Sequence, residues 1–247
     1  MKAYLLTAGY ATRLHPLTLD RPKSLLEIGG RPMLSHILER VCELDGLSEV
    51  IVIGNHRFAE ELAAWCEATP CPVVLRQLDD GSMSDDDKLG AIGDLDFALR
   101  EEPPHEEEAF IVVAGDNWLG FDLRPAQQVF EESGQRATLL LRELDEVPQG
   151  PSPYNEVTLD RAGRVLRFRE KPDDPATPFV AIAVYFFPPH TRALIEHYLQ
   201  DGGNPDAPGY FIQWLAQHAP VRGHRFEGEW MDIGSHETLA EARARFG

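Results

Sequence analysis

The chain contains 247 residues, 43% of them hydrophobic, and carries a formal net charge of −18 at pH 7. This composition predicts a globular protein with a full hydrophobic core, and the acidic excess excludes binding to nucleic acid or an anionic membrane through a basic patch. No apolar run approaches the roughly 18 residues that cross a bilayer, and the first predicted strand begins at Lys2 without a leader ahead of it, so we expect a cytoplasmic protein.

The first element is a short apolar strand that ends in a loop of small residues. Residues 5–8 read LLTA and are followed by Gly9, and small side chains let backbone N–H groups approach a ligand closely. Arg13 then offers a planar fork of donors for phosphate oxygens, and Lys23 a mobile point charge. Two cations on one loop suit a polyphosphate better than a single phosphate. By local composition alone, an ordinary turn with solvated cations is the favoured interpretation.

Strands and helices alternate over the next segment. Apolar residues recur at helical spacing over 33–44, and residues 49–54 form an apolar run rich in branched side chains. Residues 59–68 are again helical, and residues 73–76 are strand-like. This alternation predicts right-handed crossovers and a parallel sheet that is covered on both faces.

Two acidic segments precede the next predicted strand. Residues 79–88 read DDGSMSDDDK and residues 101–108 read EEPPHEEE, and charge runs of this kind are most often solvated loops. The strand at 110–114 then runs into Gly115 and Asp116, which puts a carboxylate at the edge where open α/β sheets bind ligands. On its own, an Asp in this place is more typical of a turn or a helix cap.

The second half of the chain begins after a loop rich in Pro and Gly at residues 147–153. A hairpin is predicted from runs at 154–159 and 164–169, and the second run ends in Glu170 and Lys171. By itself this pair indicates an exposed ion pair on a strand edge. Further along, the sequence predicts a strand at 179–187, a helix at about 191–199, an amphipathic segment through Trp214 and a final helix capped by Ser235.

Taken in order, these motifs resemble the signature of the sugar-1-phosphate nucleotidylyltransferases, also called NDP-sugar pyrophosphorylases. The string GYATRLHPLT at residues 9–18 is followed by Pro22-Lys23, an apolar run and GRPM at 30–33. GDN at 115–117, EKP at 170–172 and WMDIGS at 230–235 come later in the same order. The resemblance implies one α/β domain over 1–247: a Rossmann-like, mostly parallel sheet covered by helices on both faces, with a nucleotide-binding half at 1–145 and a β-rich sugar-phosphate-binding half at 146–247.

The resemblance also implies a role for each matching residue. The catalytic cations would be Arg13 and Lys23. The nucleotide-binding residues would be Ala8, Gly9, Tyr10, Ala11, Thr12, Gly90 and Asp116. The sugar-phosphate-binding residues would be Asn155, Glu170 and Lys171. Asp116 and Asp232 would bind Mg²⁺. The substrates would be an NTP, namely dTTP, UTP or CTP, and a sugar 1-phosphate, and a homo-oligomer is left open.

Three residues depart from the family pattern, and three other functions stay open. Ala11, Asn155 and Ala183 stand where the family often carries glycine, which leaves the sugar undecided. A CTP-dependent enzyme acting on phosphocholine would share the first loop. A metal-dependent glycosyltransferase would not need the cations of that loop. A non-catalytic regulatory relative usually lacks a catalytic cation or a metal carboxylate, and since this sequence retains all four, it favours an enzyme.

Overall fold

A computed structural model describes residues 1–247. Its strands are β1 (Lys2–Leu6), β2 (Glu27–Ile28), β3 (Arg31–Pro32), β4 (Glu49–Gly54), β5 (Val74–Asp79), β6 (Phe110–Ala114), β7 (Asn117–Gly120), β8 (Ala137–Glu143), β9 (Glu156–Leu159), β10 (Val165–Arg169), β11 (Phe179–Phe187), β12 (Val221–Arg225) and β13 (Glu229–Asp232). Its helices are α1 (Met33–Cys42), α2 (Ala59–Ala68), α3 (Ala91–Glu101), α4 (Arg124–Glu132), α5 (Thr191–Gln200), α6 (Pro208–His218) and α7 (His236–Phe246).

A seven-stranded sheet forms the centre of the fold, in the order β12-β8-β11-β6-β1-β4-β5. The pairs β1–β4, β1–β6, β4–β5 and β8–β12 are parallel. β11 pairs antiparallel with both β6 and β8, so it alone runs against the other six strands. This arrangement confirms the predicted α/β fold with a mostly parallel sheet. Because β1 and β6 are adjacent and parallel, the loops that follow them meet at one sheet edge.

Both faces of the sheet are buried, which explains why its central strands are continuous apolar runs. Tyr4 and Leu6 of β1 pack into a cluster with α3, α5 and α6 on one face. Ala3 and Leu5 pack with α1, α2 and α4 on the other. Neighbouring residues of a strand point to opposite faces, so each face needs its own layer of helices. The prediction that helices cover both faces is confirmed.

The two halves of the chain share this sheet. β11, from the second half, lies between β6 and β8 of the first half, and β12 extends the sheet beyond β8. Outside this sheet, the second half contributes the antiparallel hairpin of β9 and β10, and β13, which pairs with β7. The boundary near residue 145 therefore does not separate two bodies. None of the helices has the length and apolarity that a membrane crossing requires.

Several elements differ from the sequence prediction. β7, α4, β8 and β12 were not assigned from the sequence, and β5 starts one residue later and ends three residues later than the predicted strand at 73–76. β5 is an edge strand that contains polar residues, so no continuous apolar run marks its bounds in the sequence. Its extent follows from its pairing with β4. The hairpin, the helix at 59–68 and the strands at 49–54, 110–114 and 179–187 match. The predicted cap of the last helix is also confirmed, because the Ser235 hydroxyl accepts from the N–H of Thr238.

Candidate active site

A cavity of about 630 Å³ opens at the sheet edge where β1 and β6 end. Leu6 and Thr7 line it from the end of β1, and Ala114 and Gly115 from the end of β6. Eight of the sequence-predicted site residues also line it: Gly9, Ala11, Arg13, Lys23, Asp116, Glu170, Lys171 and Asp232. These residues come from both halves of the chain. The fold therefore collects in one cavity side chains that are distant in sequence.

The loop after β1 is held tightly against its neighbours. The N–H and hydroxyl of Thr7 both donate to the carbonyl of Ile53, at 2.8 and 2.7 Å. A Cβ at Gly115 would lie 2.6 Å from Cγ2 of Thr7, so the glycine lets the two strand ends approach. Ala11 adopts a left-handed conformation, with φ 48° and ψ 45°. Such a conformation costs an L-residue about 1–2 kcal/mol, which is a physical reason for the glycine that the family signature often carries at this position.

Three predicted residues of this loop do not line the cavity. The carbonyl of Ala8 accepts from Nδ2 of Asn55 at 2.7 Å. Tyr10 is buried, and its hydroxyl lies 3.1 Å from Oγ of Ser82. Thr12 is exposed. Ala8 and Tyr10 fix the loop to the segments around them, and a direct role for these three in binding nucleotide stays a prediction.

Lys23 and Asp116 form an ion pair inside the cavity. Nζ of Lys23 lies 2.9 Å from Oδ2 of Asp116, and the lysine side chain is 16% exposed against 39% for the aspartate. Burial of the lysine stem fixes the ammonium near the end of β6, where Asp116 follows the strand. The neighbouring Ser24 also lines the cavity, and its hydroxyl is buried without a hydrogen-bond partner. No sequence pattern singled out Ser24.

Asp232 reaches the same place through the short sheet of β7 and β13. It pairs with Asn117 across that sheet, and the N–H of Ile233 donates to the carbonyl of Asp116 at 2.9 Å. Burial, together with the negative charge of Asp116, raises the pKa of Asp232 to about 6, against the opposing charges of Lys23 and Arg13. Asp116 and Asp232 both line the cavity, and their negative charges repel one another there.

This pair of carboxylates fits a divalent metal ion. The side chains supply hard oxygen ligands, and the raised pKa of Asp232 marks negative charge that a cation would relieve. No group of three or more His, Cys, Asp or Glu side chains forms a complete protein cage. Mg²⁺ is commonly held by one or two carboxylates, with substrate phosphates and water completing the shell. The donor set thus matches an ion that arrives with a polyphosphate.

The opposite wall of the cavity comes from the second half of the chain. Glu170 follows β10, and its N–H donates to Oε1 of Gln213 at 3.0 Å. Its carboxylate has no protein hydrogen-bond donor, and burial raises the pKa of the group, with Lys171 opposing. Asn155 does not line the cavity: its amide bonds both backbone groups of Ala181, at 2.9 and 2.7 Å. Asn155 thus supports the wall, and its direct contact with a sugar stays a prediction.

Gly90 also lies behind the cavity wall. It precedes α3 with φ 80°, and a Cβ there would lie 2.6 Å from the carbonyl oxygen of Pro205. The next two N–H groups, of Ala91 and Ile92, donate to the carbonyls of Asp206 and Pro205. Ala91, not Gly90, lines the cavity. The glycine therefore allows a close contact between the two halves, and its role beside a nucleobase stays a prediction.

Sequence reasoning missed the aromatic part of the cavity wall. Tyr154 and Trp230 both line the cavity, with ring centroids 6.1 Å apart. Nε1 of Trp230 donates to Oδ1 of Asn117 at 2.6 Å, which fixes the indole beside the Asp116 loop. Trp230 opens the WMDIGS motif, but the motif alone assigned it no place in a site. Only the pairing of β13 with β7 shows where its ring lies.

Comparisons with known proteins identify a family for the chain. A sequence model of the family described as nucleotidyl transferase matches residues 2–246. The UTP–glucose-1-phosphate uridylyltransferase of Synechocystis sp. is 29% identical over 243 residues, covering 95% of this chain and 60% of the relative. The UTP–glucose-1-phosphate uridylyltransferase AglF of Haloferax volcanii is 26% identical, covering 99% of this chain and 96% of the relative.

One solved structure shows the same fold. The crystal structure of a UDP-glucose pyrophosphorylase complexed with UDP-glucose has a TM-score of 0.82 at 17% identity, covering 99% of this chain and 97% of the other. Several curated relatives are longer, and the chain spans between 53% and 60% of the length of three of them.

Proposed function

Since this chain belongs to the nucleotidyl transferase family, we propose that it transfers a nucleoside monophosphate from an NTP to a sugar 1-phosphate, giving an NDP-sugar and pyrophosphate. The family match confirms the resemblance that the order of the sequence motifs indicated. The observation that carries the proposal is the convergence of two cations, Arg13 and Lys23, and two carboxylates, Asp116 and Asp232, on one cavity. A regulatory relative without activity would not need all four.

The reaction is an in-line displacement at phosphorus. A phosphate oxygen of the sugar 1-phosphate bonds to the α-phosphorus of the NTP, the bond from that phosphorus to the α,β-bridging oxygen breaks, and pyrophosphate leaves with the electron pair. This chemistry needs no protein nucleophile. It needs two anionic substrates held in line and neutralisation of the charge on the phosphates.

The first half of the chain supplies the groups for the triphosphate. Arg13 would hold the phosphate oxygens of the NTP with its planar donors. Lys23 would neutralise charge at the α-phosphate, and because an ammonium has three donors it can do so while it contacts Asp116. Asp116 and Asp232 would hold Mg²⁺, which when bound supplies further charge neutralisation to the phosphate oxygens.

The second half supplies the groups for the acceptor. The carboxylate of Glu170 has no protein donor, so it is free to accept hydrogen bonds from sugar hydroxyls in the cavity. Lys171 lies beside it in the cavity wall and would meet the phosphate of the sugar. Ala183 lines the same wall in a left-handed conformation, with φ 55°. Its methyl group would narrow the space for the sugar relative to a glycine.

A substrate matrix tests this proposal. We would combine dTTP, UTP, CTP and GTP with glucose 1-phosphate, mannose 1-phosphate or phosphocholine, and measure released pyrophosphate. The sequence resemblance implies dTTP, UTP or CTP. GTP is added because a relative named mannose-1-phosphate guanylyltransferase catalytic subunit beta, from Drosophila pseudoobscura pseudoobscura, is 27% identical over 239 residues. We expect release that requires both an NTP and a sugar 1-phosphate. Pyrophosphate release with CTP and phosphocholine, but with no sugar 1-phosphate, would support the cytidylyltransferase alternative. No release with any pair of substrates would overturn the proposal.

A further inference from the structure

The carboxylate of Glu170 lies directly against Gly209, in the first turn of α6. A Cβ at Gly209 would lie 2.5 Å from the carboxyl carbon of Glu170, and closer still to Oε2. Real Cβ atoms essentially never approach another heavy atom to under 3.0 Å. Any side chain at position 209 would therefore displace the carboxylate.

Backbone conformation does not explain this glycine. Gly209 is absent from the residues with positive φ, so an alanine could adopt its backbone angles. In a helix, alanine is also more favourable than glycine. Gly209 is buried. The remaining physical reason for a glycine is the space that the Glu170 carboxylate occupies.

The same face of α6 holds Glu170 by its backbone as well. Gln213 is four residues after Gly209 and therefore lies on the same face of the helix. Its Oε1 accepts from the N–H of Glu170 at 3.0 Å. Gln213 thus fixes the main chain of Glu170, and Gly209 leaves room for its carboxylate. Pro208, just ahead of Gly209, lines the cavity, so the turn is also part of the cavity wall.

We infer that Gly209 is a positioning residue. Because it has no side chain, the Glu170 carboxylate can occupy the place from which it accepts hydrogen bonds from the hydroxyl groups of the sugar 1-phosphate. This inference rests on the proposed function, because it takes the acceptor to be a polyhydroxylated phosphate. Gly209 of α6 would thus affect recognition of the acceptor through the position of Glu170, without contacting the acceptor itself.

A double-mutant cycle in the full-length protein tests the inference. Gly209→Ala should raise KM for the sugar 1-phosphate by roughly tenfold, with KM for the NTP changed by less than about twofold, because only the acceptor contact is moved. Glu170→Ala should do the same. The double variant should be no worse than the poorer single variant, since Gly209→Ala acts only through Glu170. Gln217→Ala, on the exposed part of the same helix, is the control and should behave as wild type.

Three kinetic results would overturn the inference. One is an unchanged KM for the sugar 1-phosphate in Gly209→Ala. A second is an additive loss in the double variant, which would show that Gly209 acts independently of Glu170. The third is an equal increase in KM for both substrates, because a general disturbance of the cavity would then be the cause.

Thermal unfolding decides the inference separately from activity. Because the displaced atoms are the end of a flexible side chain, Gly209→Ala should lower Tm only modestly, and combining it with Glu170→Ala should restore much of that loss. If the single variant does not fold, a folded double variant still supports the collision, and an unfolded double variant overturns it. Failure of the substrate matrix would refute the proposed function without touching this result, so the two failures are distinguishable.

Discussion

The ammonium of Lys23 lies 2.9 Å from Oδ2 of Asp116, so a group expected to act on phosphate contacts a group expected to hold metal. The two residues reach each other because the loop after β1 and the loop after β6 leave neighbouring parallel strands. This contact joins the two kinds of charge that phosphoryl chemistry requires, and several consequences can be measured.

Removing the charge of Lys23 should impair turnover far more than folding. Lys23→Met keeps most of the length of the side chain but removes the ammonium that neutralises charge developing at the α-phosphate. Loss of one well-placed donor of this kind lowers turnover by roughly 10²- to 10³-fold. Steady-state kinetics and Tm should be compared with those of Arg192→Met, which removes an exposed cation of α5. Equal turnover in wild type and Lys23→Met would remove this lysine from the mechanism.

Asp116 and Asp232 should behave as one metal-binding unit. Asp116→Asn and Asp232→Asn each keep the side-chain shape but remove one of two charges that face the same cavity. Each should abolish most of the magnesium-dependent rate, and the double variant should cost little more than the worse single one, because both act through one ion. The readout is activity across a magnesium titration. Losses that multiply in the double variant would mean that the two residues act separately.

A buried carboxyl group away from the cavity should make stability depend on pH. Burial, and next the charge of Asp80, raises the pKa of Asp94 from 3.8 to about 8, with Asp206 adding to the rise and Lys88 opposing it. A raised pKa in the folded state means that the folded protein binds the proton more tightly than the unfolded chain. The stability that this proton contributes is therefore complete below about pH 4 and is lost as the pH rises to about 8.

The test is Tm as a function of pH for wild type and Asp94→Asn. Between pH 5 and pH 9 the wild type should lose more stability than the variant, because Asn cannot ionise beside Asp80. Asp145→Asn, at an exposed position in the loop after β8, should follow the wild-type curve. Parallel curves for wild type and Asp94→Asn would show that this carboxyl group is not the source of the dependence.

The protein should be less stable with alanine at position 183 than with glycine. Its φ of 55° is in the left-handed region, where an L-residue pays about 1–2 kcal/mol, partly offset by the lower chain entropy of unfolded alanine. Ala183→Gly should therefore raise the free energy of unfolding by up to about 1 kcal/mol. Ala64→Gly, at an exposed position within α2, should lower it by about 1 kcal/mol. Denaturant unfolding measures both, and the same sign for the two variants would contradict the assigned strain.

Much of the fold could be predicted because its central strands are buried on both faces. β4, β6 and β11 are continuous apolar runs whose bounds are visible in the sequence. β7 has only four residues, and its place follows from pairing with β13, which is far away in the sequence. The position of β11 inside the sheet, antiparallel to its neighbours, is likewise a property of long-range pairing. Such pairing leaves no local pattern to read.

The candidate site divides in the same way. Motif order named Arg13, Lys23, Asp116 and Asp232 as site residues, and the fold gathers all four around one cavity. Motif order could not show that Asn155 turns its amide to the backbone of Ala181. Motif order also could not identify a residue that matters because it has no side chain. Gly209 has no motif of its own, and its relation to Glu170 depends on how α6 packs against the end of β10.

The central claim is tested most directly by following the phosphorus atoms of one reaction with ³¹P NMR. The protein would be mixed with Mg²⁺, the NTP and the sugar 1-phosphate that give most pyrophosphate in the substrate matrix. Nucleotidyl transfer predicts equal amounts of pyrophosphate and a new diphosphate diester, with matching loss of both substrates. When Lys23 is replaced by Met, both products should form roughly 10²- to 10³-fold more slowly. Formation of NDP or inorganic phosphate in place of the diester would contradict transfer of a nucleoside monophosphate.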